Sequence, residues 1–218
     1  MEKWIPHVGL DLVSFDDITS YSLGLLLIEK SIGTATPKTN YIEIPCADGM
    51  LDLTEAFGEV KYKNRSLNFK FVTRGNHDDV YDKVMNALNG KFFNIELSDD
   101  EDYIFKGRVS VSDWSEDNAF GYINISADCE PYRYKKELTK ASIDLTEELQ
   151  DITLVNNGRV LTPKFTATGK GSIKLGDTIV EFASSTFTSP LITLKNGGTI
   201  LSVKGDGKLD IEYQERRL

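Results

Sequence analysis

Alternation of apolar and polar positions dominates this chain, and it breaks into short runs. Tyr41-Ile42-Glu43-Ile44 reads as a strand that stops at Pro45, which has no amide to donate. Ser66 to Val72 alternates cleanly and puts Leu67, Phe69 and Phe71 on one face. Residues 4–30 alternate more weakly around LGLLLI and predict a strand or two, and Ser31 to Asn40 reads as a loop. One segment changes period: Val80, Val84, Ala87 and Leu88 recur at helical spacing, widened by Tyr81 and Met85. Asp78-Asp79 is expected to cap that helix and Asn89-Gly90 to close it, giving a helix over about 79–89. So short a helix needs a sheet to pack on. Phe92 to Leu97 and Tyr103 to Val111 follow as strands around the acidic turn SDDED, then Phe120 to Ala127, with CEPYRYKKE as an exit.

Residues 137–150 are polar and suit a linker or an edge strand. From Ile152 the texture is uniform: ITLV, KFTAT, GSIKL, TIVEFA, LITL, TILSV and LDIEY, separated by Asn- and Gly-rich turns and with no helical period. That spacing predicts a β-sandwich. The fold class expected is mainly β with one short helix: a β-rich first domain over 1–136 and a sandwich over 151–218.

A length of 218 residues can bury a core in each domain. The longest apolar run, Leu23 to Ile28, is far below the roughly 20 residues that span a bilayer, and the N-terminus lacks signal-peptide character, so the expected compartment is a cytoplasm. Nearly all of the net charge of −9 sits in the first domain, where 15 basic residues face 23 acidic ones over 1–136. Such a chain has no basic stripe with which to grip nucleic acid, and no membrane partner is expected.

Candidate chemistry is sparse. Cys46 and Cys129 read as two thiols, although a disulfide between them stays open, and with only His7 and His77 no zinc spacing exists. Cys46 invites a nucleophile reading beside His77, but nothing in the sequence brings the two together. Neither a G-x-S-x-G elbow nor a phosphate loop occurs; Gly169-Lys170-Gly171-Ser172 lies between short strands and reads as a hairpin. SDDED lacks the glycine and distal glutamate of a calcium loop. Phe165, Phe182 and Phe187 have core spacing, and both tryptophans, Trp4 and Trp114, precede the sandwich, which disfavours a sugar platform there. The reading is no enzyme, no cofactor and no metal.

The pattern of Phe15-Asp16-Asp17-Ile18, Ile44-Pro45-Cys46-Ala47-Asp48-Gly49, Leu51-Asp52-Leu53-Thr54-Glu55, Tyr62-Lys63-Asn64-Arg65, Cys129-Glu130-Pro131-Tyr132 and the closing GDGKLDIEYQERRL resembles the distal tail protein (Dit) family. These are proteins of long-tailed phages and prophages of Gram-positive bacteria. The family often has Gly where Cys46 stands. The resemblance implies a first domain that closes into a homohexameric ring at the virion tail tip, after assembly in the host cytoplasm, and a galectin-like sandwich outside it. It implies the tail tube protein on one side, a tail fibre, lysin, baseplate or receptor-binding protein on the other, and a lumen for DNA. Pro45, Asp48, Gly49 and Asp52 are expected to shape an assembly loop, with Tyr62 and Arg65 anchoring it. The alternative function is host-surface carbohydrate binding through the sandwich.

Overall fold

A computed structural model describes residues 12–56, 58–74, 77–117 and 120–218; Trp4, His7 and the start of the alternation over 4–30 lie outside them. The protein is mostly β and divides after Arg133 into two compact units.

The first unit contains β1 (Val13–Phe15), β2 (Ile18–Thr19), β3 (Leu26–Ile32), β4 (Tyr41–Glu43), β5 (Met50–Asp52), β6 (Arg65–Arg74), the helix α1 (His77–Leu88), β7 (Phe92–Leu97), β8 (Tyr103–Asp117) and β9 (Phe120–Lys135). Seven of these strands form one sheet in the order β2-β1-β7-β8-β9-β6-β3, while among the described residues β4 and β5 pair only with each other. Alternation on β6 buries Leu67, Phe69 and Phe71 and leaves Ser66, Asn68 and Lys70 outside. Val84 and Leu88 of α1 are fully buried in the same core. Phe15 meets Phe69 and Phe93 edge-on at 6.4 and 6.0 Å, an arrangement aromatic rings favour.

Two local expectations change. The helix begins at His77, so Asp78 and Asp79 occupy its first turn, where their charge complements the dipole instead of capping it. Gly90 follows the helix at φ 77, the left-handed turn that ends many helices. β9 does not exit after Ala127 but runs on to Lys135 through Pro131. Its last residue paired with β6 is Cys129, so the missing proline amide falls where that ladder has already ended. The acidic turn after β7 is held by cations: Asp99 binds Lys30 at 2.6 Å and Asp100 binds Arg133 at 2.7 Å. Their hydrogen bond holds the Asp99 carboxyl below its ordinary pKa.

Where β8 crosses β9 the backbones come unusually close. A Cβ on Gly107 would lie 2.4 Å from Cys129 Sγ and 2.6 Å from the Asp128 carbonyl oxygen, so only glycine fits.

The second unit, Tyr134–Arg217, holds β10 (Thr139–Asp144), β11 (Gln150–Asn156), β12 (Lys164–Ala167), β13 (Gly171–Leu175), β14 (Thr178–Phe182), β15 (Ser185–Thr188), β16 (Gly197–Gly205), β17 (Lys208–Tyr213) and β18 (Arg216–Arg217). Two four-stranded sheets, β10-β17-β12-β15 and β11-β16-β13-β14, send Phe165, Leu209 and Ile211 from one side and Leu154, Ile173, Leu201 and Val203 from the other into a single core. Thr139–Asp144 is an edge strand of that unit, whose first residue, Tyr134, still belongs to the end of β9. LITL is not a strand. Ile192 and Leu194 are fully buried, but only Leu194 makes a bridge, to Leu161, and Ser185–Thr188 takes the edge of the sheet instead. Apolar spacing reported burial there, not extension. The second unit also buries the carboxylate of Glu215, which reaches Lys135 Nζ and the Asn157 amide, each at 3.3 Å.

Candidate assembly interface

Between β3 and β6 the chain leaves the sheet and returns as a long two-stranded arm. At its root Lys63 N donates to Thr36 O at 2.8 Å, Lys38 N to Lys61 O at 2.7 Å, and Pro37 bridges Tyr62. Farther out Leu53 N donates to Asn40 O at 2.8 Å, and Asn40 N to Thr54 Oγ1 at 3.0 Å. β4 and β5 then pair Tyr41 with Asp52, Ile42 with Leu51 and Glu43 with Met50. At about 3.3 Å per residue, the dozen residues after Gly33 extend at most ~40 Å.

The candidate residues fall into three places. Pro45, Asp48 and Gly49 lie in the tip turn, with Gly49 at φ 79 and Ala47 N bonded back to Ile44 O at 3.2 Å. Asp52 is on the shaft: its Oδ1 accepts from Thr54 N at 2.9 Å, and the Thr54 hydrogen bonds hold its carboxyl below the ordinary range. Tyr62 and Arg65 are at the root, where the Tyr62 ring meets Tyr132 edge-on at 6.3 Å. Arg65 opens β6 on the core-facing side, opposite Cys129, and is only 8% exposed. Its guanidinium sits 5.7 Å from the centre of the Phe105 ring. Burial, then the nearby Arg133, pull its pKa below the ordinary arginine value, while Cys129 opposes them.

The strongest feature of the arm is one that residue roles in the sequence do not announce. Every residue of β4 and β5 is exposed, and Ile42, Ile44, Met50 and Leu51 are 46 to 58% exposed. Cross-strand pairing puts Ile42 and Leu51 on one face and Met50 on the other, so the ribbon is apolar on both sides. A two-stranded ribbon is marginal by itself, and apolar side chains on both faces of one call for a second surface.

Cys46 stands at the tip with φ 65, a left-handed conformation that costs a non-glycine residue about 1 kcal/mol or more. Cys46→Gly is expected to preserve the arm and raise stability slightly, as thermal unfolding would show. The two cysteines also differ in reactivity. Cys46 is exposed and Cys129 buried, both free, and burial beside Asp128 pushes the Cys129 thiol up to about 12. An aromatic disulfide reagent at pH 8 should therefore titrate one thiol in the folded protein and two in denaturant. Because the folded chain holds Cys129 neutral, stability should decline from the ordinary thiol value of 9.0 upward toward about 12, and Cys129→Ala should flatten that slope.

No known family profile and no curated protein matches this chain. Among solved structures it is similar to the crystal structure of SPP1 Dit (gp 19.1), described as a paradigm of the hub adsorption apparatus in phages that infect Gram-positive bacteria. The match has a TM-score of 0.69 and 16% identity, and covers 96% of this chain and 100% of that one. That likeness is one of fold across both units.

Proposed function

We propose that this chain is a structural component of a phage tail tip, a Dit-like hub subunit that closes head-to-tail with copies of itself into a ring of six. The observation that carries this reading is the arm, whose two apolar faces have no cover among the described residues, joined to a fold shared with a phage hub protein. An arm that docks on a different surface of the next copy makes a heterologous contact, and such contacts close into rings when the rotation permits. In this reading Pro45, Asp48, Gly49 and Asp52 set the arm's path, and Tyr62 and Arg65 fix its root. The ring joins the tail tube protein to a fibre, lysin, baseplate or receptor-binding protein at the virion tail tip, after assembly in the host cytoplasm. DNA passes through its lumen. Acidic residues of the first unit facing that lumen would repel DNA and let it slide, and a neutral or basic lumen would remove that element. Negative-stain images of the purified full chain should show closed rings with sixfold symmetry; open filaments would argue against a closing contact.

A second reading rests on an open cleft of about 570 Å³ within the second unit. Phe182 lines it with Lys170, Lys204, Glu181 and Asp206, and its ring stacks on Phe187 at 5.6 Å. A half-buried ring amid donors and acceptors suits a sugar, so a galectin-like role in host-glycan recognition is the alternative activity. Specific signals on a glycan array that vanish for Phe182→Ala would support it, and silence would leave the second unit an adaptor.

A further inference from the structure

The root of the arm holds a cation that no acid among the described residues neutralises. Arg65 is 8% exposed, has neither an ion pair nor a hydrogen bond, and its Nε is buried without a partner. The larger charge effect on it is repulsive: Arg133 depresses its pKa, and Arg133 is already committed to Asp100 at 2.7 Å and to the Tyr103 ring at 5.0 Å. Phe105 at 5.7 Å offers only its ring face. A guanidinium whose Nε is dry and unpaired is costly to a fold unless something completes it. On the adjoining strand, the Asp128 carboxylate accepts from Asn64 at 3.2 Å.

We propose that Arg65 is the receptor for a carboxylate supplied by a second copy of this chain, so that assembly, not folding, pairs this guanidinium. The proposal rests on the ring reading above. Charge complementarity favours a second copy, because the chain carries a net charge of −9 and its arm displays Glu43 and Asp48, both exposed. A planar fork of donors fits a carboxylate in two places at once, which fixes direction as well as strength.

The test uses the full chain with Arg65→Met and, as a second neutral replacement, Arg65→Gln. In dilute solution sodium acetate should raise the Tm of the parent by about 2 °C over sodium chloride at equal ionic strength, and neither variant should respond. Both variants should match or exceed the parent Tm without acetate, because an uncompensated charge has gone, yet self-associate about 30-fold or more weakly by sedimentation. A fall of several degrees in both variants would show a partner inside the chain and overturn the proposal. Unchanged self-association, or an acetate effect that survives in the variants, would overturn it too. If the parent responds to acetate but stays monomeric at every concentration, the ring reading fails in the same measurement. The carboxylate would then come from another protein, and the second-copy assignment falls.

Discussion

The double variant Ile42→Ser, Met50→Ser should fold as the parent does and self-associate at least about 100-fold more weakly. Ile42 is 46% and Met50 58% exposed in the single chain, so their replacement removes little buried area and should leave the unfolding temperature within a few degrees. Their side chains project from opposite faces of the ribbon. Each single variant therefore strips one face, and comparing the two tells which face docks on the neighbour. Loss of assembly with fold retained is the signature of a contact surface. Loss of both would mean that the arm packs on its own chain, against its exposure.

Gly107→Ala should have the largest effect on stability, lowering it by about 3 kcal/mol or more and the Tm of the first unit by about 10 °C. The added methyl meets Cys129 Sγ at 2.4 Å and the backbone oxygen of Asp128 at 2.6 Å, and a carbonyl held in a sheet cannot step aside as a flexible side-chain end can. Gly49→Ala is the contrast: its φ of 79 is strained for alanine, but no atom stands within 4 Å, so the cost should stay near 1 kcal/mol. Both tryptophans precede the second unit, so intrinsic tryptophan fluorescence should register the Gly107→Ala loss directly.

Much of this architecture is legible wherever one face of a strand is dry. Leu67, Phe69 and Phe71 announce β6, and Val84 and Leu88 announce the packed side of α1, because burial and period agree there. Agreement fails where burial occurs without extension. Ile192 and Leu194 line the second core from a loop, and their spacing imitates a strand. Pro131 imitates a strand end, because nothing local shows that the neighbouring ladder has already stopped at Cys129. The arm was legible as a path, through Pro45 and Gly49, but not as a surface: exposure of Ile42, Ile44, Met50 and Leu51 depends on the absence of a third strand, which only the folded topology displays. Arg65 was legible by resemblance as an anchor of the arm, but its burial was hidden for the opposite reason. It continues the buried alternation of Leu67 and Phe69 by one more step, and a charged residue carries no apolar signal of burial.

The central claim is that this chain is a ring subunit closed by its arm. Sedimentation velocity of the full chain from micromolar to near-millimolar concentration, run beside the Ile42→Ser, Met50→Ser variant, tests it most directly. A discrete species of six chains is expected for the parent and a monomer for the variant. A parent that remains monomeric throughout, or a variant that assembles as well as the parent, would contradict it.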